Sequence, residues 1–560
     1  MQAGDHWRSR RRFLKASVAM GVVAESIVSP SIASPLASAT EAPAADGNAY
    51  LLAAKEAARW IRSAQVARSE GIAWLPEPDH PDKQVTVGAD NTLYSGSAGV
   101  VLFFIELARA SGDDTYLTDA ARGAEYLAAS WKNLPGAAGA SFFRDGGLSF
   151  DQGLAGTAFA LIEAWQATRD EKYRRAAVEA TRTLANAARE SGAGLEWTPS
   201  PAVGQGGGII LYLLYAAKAL QDESLQKIAA RGGDRIIELA ESDPRGGLRW
   251  QGLPPSSLSP AAAKTIPANS YFPNFELGTA GVAFVLARLY EETRQQKFLN
   301  AAREGARHIQ SIATVNGDSA LVYYREPDLQ NLYYLGYCHG PAGTARLFYQ
   351  LHKVTGEPGY LEWTEKLARG IVRSGVPEKL TPGYWNVACQ CCGSAAVTDL
   401  FLSLWVATGK SQYRDFALRV ADHSSAAKTT STTRDTVGTR RGHESNPGKS
   451  VRKRAIRSAP PALARHSFTP TWPLATATTP YCCLTIRSLG ARALRSASFR
   501  MPPCKAADPT HASKHCDAVD EVASMFPQWP RDREAHRCRP PPHVAEHSTS
   551  TSLHRFHHRQ

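Results

Sequence analysis

Long apolar runs recur along this chain, and each run follows a short step of small residues. The step reads Gly-x-Ala-Gly and leads into runs such as Val100 to Ala110 and Val282 to Tyr290, which are apolar nearly all round. Runs of this length are too long for typical strands and indicate buried helices. Four copies of the step and two degenerate copies begin at Gly96, Gly153, Gln205, Gly278, Gly340 and Gly393.

An amphipathic segment follows each apolar run at a fixed distance. Twenty residues after the first position of each step stands Tyr116, Tyr173, Leu225, Phe298, Tyr360 or Tyr413. Apolar residues then recur at helical spacing with charges between them, as on an outer helix. Each unit is therefore predicted to be a helical hairpin, and hairpins that cannot bury their apolar faces alone must stack. The predicted fold is all-α: an α/α toroid of inner and outer helices with six recognisable repeats and a seventh that is missing or scrambled.

Tryptophans precede several of the predicted inner helices in Gly-x-x-Trp or Gly-x-Trp segments. They are Trp74, Trp197, Trp250 and Trp385. These side chains either line the mouth of the ring for a peptide or cap helix ends by aromatic packing.

The charge of the chain is concentrated in its last quarter. The net charge is +12, and residues 425–560 hold 22 Lys plus Arg against 9 Asp plus Glu. This segment is rich in Ser, Thr, Pro, Arg and His and has no repeat, so we expect either a disordered basic tail or an out-of-frame translation. Aromatic residues are sparse there and no nucleic-acid motif is present, so no nucleic-acid partner is predicted. The toroid is expected over residues 40–424.

The N-terminus resembles a twin-arginine export signal. The segment from Ser9 to Lys15 reads Ser-Arg-Arg-Arg-Phe-Leu-Lys, a moderately apolar stretch follows, and Ala37-Ser38-Ala39 offers small residues for cleavage. Such a signal is an address read by a receptor and not an anchor. We therefore expect a signal peptide over residues 1–39 and an exported, periplasmic or extracellular protein. No later segment has the uncharged length of a stable membrane span.

Four cysteines form a cluster in sequence where the last two steps begin. Cys338 and Cys391 stand two residues before the first Gly of their steps, and His339 and Cys392 stand one residue before it. Since neighbouring inner helices present these positions, the thiols are expected to meet. Thiolate and imidazole are the ligands that zinc prefers, so a zinc site is one interpretation. A disulfide between Cys338 and one of Cys389, Cys391 and Cys392 is the other, because export favours oxidation.

The repeated Gly-x-Ala-Gly hairpins, with a Cys338-His339-Gly340 step and then a Cys391-Cys392-Gly393 step, resemble the lanthionine synthetase C-like proteins over roughly residues 50–422. The resemblance implies an α/α toroid of seven helix pairs. It also implies a zinc ion held by Cys338 and Cys391, with Cys392 in the position where the family has a histidine. The family's cysteine pair is followed by another hairpin, whereas this chain loses its pattern after Tyr413, so an open or improvised seam is expected.

The resemblance further implies a Michael-type addition, in which a zinc-activated thiolate attacks a dehydroalanine or dehydrobutyrine and an acid protonates the enolate. The residues that the family uses as the acid have no clear counterpart in this chain. Gly204 stands where the family has a histidine, and Asp151 lies closer to its step than the family's aspartate, as an N-cap would. His339 is the candidate proton donor, with a role as a neighbouring non-catalytic histidine left open.

The predicted partner is a thiol-containing peptide or a small thiol, and the predicted function is thioether formation. Two alternatives stay open. One is a non-catalytic peptide-binding module stapled by zinc or a disulfide. The other is a carbohydrate-active α/α barrel working through paired carboxylates, against which the thiols at the helix starts argue.

Overall fold

The computed structural model describes residues 47–74, 91–94, 96–133, 143–144, 146–260, 262–384 and 389–437, with the side chains of 47–48 and 425–437 excepted. The expected signal peptide and the tail beyond residue 437 lie outside these residues.

Six inner helices of the described residues start within the small-residue steps, at the second residue of the step in five repeats and at its last residue, Gly208, in the third. In α8, for example, every residue from Thr279 to Leu289 is buried, as its apolar composition predicts. Neighbouring inner helices contact one another in chain order. The inner helices are α2 (Ser97–Ser111), α4 (Leu154–Thr168), α6 (Gly208–Leu220), α8 (Thr279–Thr293), α10 (Pro341–Thr355) and α12 (Ser394–Thr408).

Seven further helices pack outside them, each with one apolar face. In α9, residues such as Phe298, Ala302 and Ile309 are buried at helical spacing while charged residues between them face outward. The outer helices are α1 (Gly47–Ser63), α3 (Thr115–Ser130), α5 (Glu171–Asn186), α7 (Glu223–Glu238), α9 (Gln296–Ile312), α11 (Pro358–Arg373) and α13 (Ser411–Val437). The predicted all-α toroid of inner and outer helices is thus confirmed.

The turn between inner and outer helix has the same geometry in all six described repeats. The residue that directly follows each inner helix adopts a left-handed conformation, and it lies sixteen residues after the first position of the step. Glycine, which adopts this conformation freely, is used at three of these positions. Arg169, Gln221 and Arg294 hold the others at φ of 65°, 59° and 58°.

Short two-stranded hairpins connect outer helices to the next repeat. They are β1 (Gln65–Ala67) with β2 (Ile72–Trp74), β3 (Arg189–Ser191) with β4 (Gly194–Glu196), β5 (Glu241–Ser242) with β6 (Leu248–Arg249), and β7 (Thr314–Asn316) with β8 (Ser319–Leu321).

Three of the tryptophans noted in the sequence follow or end these hairpins and cap helices. The indole N–H groups of Trp74, Trp197 and Trp250 donate to the carbonyls of Ile61, Leu184 and Ile236, at the ends of α1, α5 and α7. Capping, and not lining of the mouth, is therefore the role of these three side chains. Trp385 lies outside the described residues.

The first and last described helices meet at the outer wall. The Tyr50 hydroxyl of α1 donates to the Asp422 carboxylate of α13 at 2.6 Å, and Arg62 of α1 pairs with Asp119 of α3. Helix α1 thus bridges the two ends of the outer layer.

Among the described residues, one helical stretch, Val203–Leu220, is long and apolar enough to cross a membrane by length and composition, and 72% of it is buried inside the protein.

Candidate metal centre and neighbouring carboxyl groups

The three cysteines predicted as metal ligands lie together. The Sγ atom of Cys392 is 3.5 Å from that of Cys338 and 3.5 Å from that of Cys391, and all three sulfurs lie within 4.8 Å of one another. Zinc–sulfur bonds of about 2.3 Å in tetrahedral array place sulfurs about 3.8 Å apart. The donor set therefore fits zinc, with three sulfur atoms as candidate ligands.

Backbone hydrogen bonds between two repeats hold the thiols in this arrangement. The N–H groups of Tyr337 and Cys338 both donate to the carbonyl of Cys391, at 2.8 and 3.1 Å. Gly343 in the first turn of α10 allows the Tyr337 carbonyl to lie close against this helix, because a Cβ there would lie 1.9 Å from the Tyr337 carbonyl oxygen. The small-residue step thus sets the position of Cys338 against the next repeat.

The thiols are held in an environment that disfavours their charged form. The pKa of Cys338 is raised well above its ordinary value by the hydrogen bond with Cys391 and by burial. The pKa of Cys392 is likewise raised by its hydrogen bonds with Cys338 and Cys389 and by burial. A bound cation would stabilise the thiolate forms of these cysteines, because its positive charge would offset their negative charges.

Cys389 is a fourth buried thiol beside this group. Its sulfur accepts a hydrogen bond from the Cys392 N–H at 3.2 Å, and Tyr94 packs against the cluster. No disulfide bond joins the four described cysteines. The 3.5 Å separations between sulfurs far exceed a disulfide bond of about 2.05 Å, so the structure does not support the disulfide interpretation.

His339 lies in an aromatic cluster and outside the group of three thiols. Its ring contacts those of Phe272, Tyr324 and Tyr334 at centroid distances of 5.6, 4.9 and 6.2 Å. Neither ring nitrogen has a hydrogen-bond partner among the described residues. Burial, together with the charge of Arg325, lowers the pKa of His339 to about 3. The imidazole is neutral at physiological pH, and its role as proton donor stays a prediction.

Asp151 and Glu276 form a carboxyl pair that the sequence did not reveal. The two side chains hydrogen-bond to each other, deep in the structure yet still partly exposed. Burial raises the pKa of Asp151, and burial together with the charge of Asp151 raises the pKa of Glu276 well above its ordinary value. Asp151 therefore bonds to a second carboxyl instead of serving as the expected N-cap of α4.

A positional rule connects this pair to the thiols. Asp151 and Glu276 each stand two residues before the first Gly of their steps, as Cys338 and Cys391 do. The Glu276 N–H donates to the Cys338 carbonyl at 2.8 Å. The spacing of Asp151 from its step is visible in the sequence, and the same spacing in the fourth repeat identifies Glu276.

Comparisons with known proteins agree with this geometry. Residues 88–447 match the family described as "Lanthionine synthetase C-like protein". The structure is similar to that of nisin cyclase, with a TM-score of 0.50 and 15% identity over 68% of this chain and 88% of that one. Unsaturated glucuronyl hydrolase from Bacillus sp. GL1 is 15% identical, with a TM-score of 0.39 over 59% of this chain and 83% of that one.

A third similar structure is an α-1,6-mannanase of Salegentibacter sp. HEL1_6, which is 16% identical, with a TM-score of 0.35 over 52% of this chain and 83% of that one. No curated protein matches the chain significantly. The match to nisin cyclase extends over most of that protein and supports the toroid fold.

Proposed function

Because the chain belongs to the lanthionine synthetase C-like proteins, we propose that it holds zinc through Cys338, Cys391 and Cys392 and adds a thiol to a dehydroamino acid of a peptide. The observation that carries this proposal is the convergence of three thiols from two repeats within 4.8 Å. Nisin cyclase is named for a peptide, and a thiol-containing peptide, or a small thiol with a peptide acceptor, is the proposed substrate.

The metal, the three cysteines and an acid have separate roles in the proposed reaction. Zinc, when bound, lowers the pKa of a substrate thiol, so that the thiolate is available at neutral pH. Cys338, Cys391 and Cys392 would hold the cation. Three thiolates give more electron density than two thiolates and an imidazole, which favours a nucleophilic substrate sulfur. The thiolate adds to the β-carbon of the dehydroamino acid, and a protein acid must then protonate the α-carbon.

Metal analysis tests the ligand assignment. Purified protein should contain about one zinc per chain, and the double variant Cys391→Ala/Cys392→Ala should contain none. Cys389→Ser is the matched control, because Cys389 is equally buried and adjacent but lies outside the group of three. Zinc that persists in the double variant, or is lost only in Cys389→Ser, would contradict the assignment.

Product analysis tests catalysis and separates the binding-module alternative. The zinc-loaded protein is incubated with a dehydroalanine peptide and a thiol, and thioether adducts are measured by mass spectrometry. Adduct formation above that of the metal-free protein supports catalysis. Stoichiometric zinc without such adducts favours a stapled binding module.

The carbohydrate-active alternative makes a geometric demand that the carboxyl pair does not meet. Acids stand at the corresponding helix starts of two other repeats, at Asp151 and Glu276, so the thiols alone do not decide against this alternative. However, glycosidases hold their two carboxyl groups about 5 to 9.5 Å apart, with a sugar or water between them. Asp151 and Glu276 are in direct hydrogen-bond contact, so they leave no such room.

Export through the twin-arginine route remains part of the proposal, and it suits a metal site. Cargo of this route folds before export, so the thiols of Cys338, Cys391 and Cys392 take up zinc in the reducing cytosol, where disulfides are rare.

A further inference from the structure

An ion pair joins the two inner helices that follow the cysteine-bearing steps. The Arg346 guanidinium of α10 donates to the Asp399 carboxylate of α12, with Nη2 and Oδ2 2.7 Å apart. Both side chains are largely buried, with 6% of Arg346 and 16% of Asp399 exposed. Each residue stands six positions after the first Gly of its step, so the pair is formed by the same position in two neighbouring repeats.

Apolar residues fill this position in the other four repeats. They are Leu102, Phe159, Leu211 and Phe284, and all four side chains are buried. A buried ion pair loses hydration that its attraction barely offsets, so apolar residues in its place are often neutral or stabilising. Stability therefore does not explain why charges stand at this position in the two repeats that also carry the thiols. A buried pair of charges can instead fix the register of two packed helices.

The ion pair contacts both chain segments that carry the thiols. The Arg346 guanidinium lies over the ring of Tyr337, 5.3 Å from its centroid, and Tyr337 directly precedes the first of the three cysteines. The side-chain amide of Gln390 donates to the Asp399 carboxylate at 3.4 Å, and Gln390 directly precedes the second cysteine. One network thus reaches both halves of the proposed metal centre.

We propose that Arg346 and Asp399 are positioning residues that set the place of Cys338 against the two thiols of the next repeat, so that all three fit one zinc ion. Arg346 acts through the ring of Tyr337. Asp399 acts through the side chain of Gln390. This inference rests on the proposed function, because it concerns the same metal centre. Zinc affinity is the quantity that the pair controls, since groups that orient metal ligands determine how well the ligands fit the metal.

The test replaces the pair in Arg346→Leu/Asp399→Leu, which gives both repeats the residue found in the first and third. Zinc affinity is measured against a competitive chelator, and stability is measured by urea unfolding of the metal-free protein. We expect the urea midpoint to stay the same or rise, because the apolar residues avoid the desolvation of two charges. Zinc affinity should nevertheless fall by about 10- to 100-fold, as when groups that orient metal ligands are lost.

Glu292→Gln is the matched control. Glu292 pairs with Arg288 at 3.2 Å, and the two side chains are 7% and 9% exposed. This pair lies toward the C-terminal end of α8, whereas the steps lie at the N-terminal ends of the inner helices. The control should lower the urea midpoint, because a buried guanidinium loses one of its charged partners. Its zinc affinity should stay within about twofold of the wild-type value, since distant sites act independently.

Zinc affinity within about twofold of wild type in the double leucine variant would overturn the inference. An equal loss of zinc affinity in Glu292→Gln would overturn it as well, because affinity would then follow general stability. Either result leaves the proposed function standing. If the wild-type protein holds no zinc, the proposed function fails, and this inference fails with it.

Asp399→Asn gives a second measurement with a side chain of nearly the same shape. The variant and the wild type are loaded with Co²⁺ in place of Zn²⁺, because the visible absorption bands of Co²⁺ depend on the geometry of its ligands. We expect the bands of Asp399→Asn to shift in energy and those of Glu292→Gln to match the wild type. Unshifted bands in Asp399→Asn would overturn the inference even if the double leucine variant does not fold.

Discussion

Replacing Gly343 by alanine is expected to damage the metal centre without touching a ligand. The new Cβ would lie 1.9 Å from the Tyr337 carbonyl oxygen, and real Cβ contacts essentially never fall below 3.0 Å. The peptide that precedes Cys338 must therefore move by about 1.1 Å. That movement strains the two hydrogen bonds from Tyr337 and Cys338 to the Cys391 carbonyl.

The energetic cost has two parts. Overpacking of a dense interior costs about 1 to 3 kcal/mol, and each weakened backbone hydrogen bond costs about 1 kcal/mol. We expect the free energy of unfolding to fall by about 3 kcal/mol or more. Because Cys338 is displaced from Cys391, zinc affinity should fall by about 10- to 100-fold, as when groups that orient metal ligands are lost.

Gly359→Ala is the matched control for Gly343→Ala. Gly359 also lies in the first turn of a helix, α11, but nothing lies within 4 Å of a Cβ there. Its replacement should be neutral or stabilising by up to about 1 kcal/mol. Urea unfolding and a competitive zinc chelator measure the two quantities. If Gly343→Ala binds zinc as tightly as the control and unfolds at the same urea concentration, the close approach does not position Cys338.

Three further outcomes are expected. Burial lowers the pKa of His308 to about 4 in the folded protein. As pH falls, His308 of the unfolded chain is therefore protonated first, and the free energy of unfolding decreases. Between pH 6.5 and pH 5 the free energy of unfolding should fall by about 1.5 kcal/mol more than in His308→Gln, as measured by urea unfolding. Arg294 and Gly356 both lie in left-handed positions. Arg294→Gly should therefore raise the free energy of unfolding by up to about 1 kcal/mol, and Gly356→Ala should lower it by about 1 kcal/mol. Tm changes of the same sign in the two variants would contradict this. Replacing Arg10 and Arg11 by lysine should leave the protein in the cytosol, and undiminished export on cell fractionation would exclude the twin-arginine route.

The helical repeats could be predicted from sequence because their signal is local and recurs. Each apolar run follows a small-residue step, and each outer helix starts at a fixed distance, as with Tyr173 in α5 and Phe298 in α9. The order of the repeats then brought Cys338 next to Cys391. A pattern that recurs six times fixes position in a ring even where single segments are ambiguous.

Other features depend on contacts between distant segments, and the sequence alone did not predict them. The two-residue and three-residue strands of the hairpins are too short for a period-two pattern to be visible. The contact of α1 with α13 joins residues that share no motif. The bond between Asp151 and Glu276 forms because the ring brings their repeats together, and a lone acid before a helix is typical of an N-cap.

The bond between Tyr50 and Asp422 has a consequence for how the molecule is made. Its partners are 372 positions apart, so the contact cannot form until almost the whole ring has left the ribosome. Contacts this distant carry a high loop-closure entropy and slow a chain's approach to its native state. Early repeats can assemble during synthesis, but the contact between α1 and α13 forms last. The rate at which this contact forms then sets how long a nascent molecule offers uncovered apolar surface to chaperones and proteases.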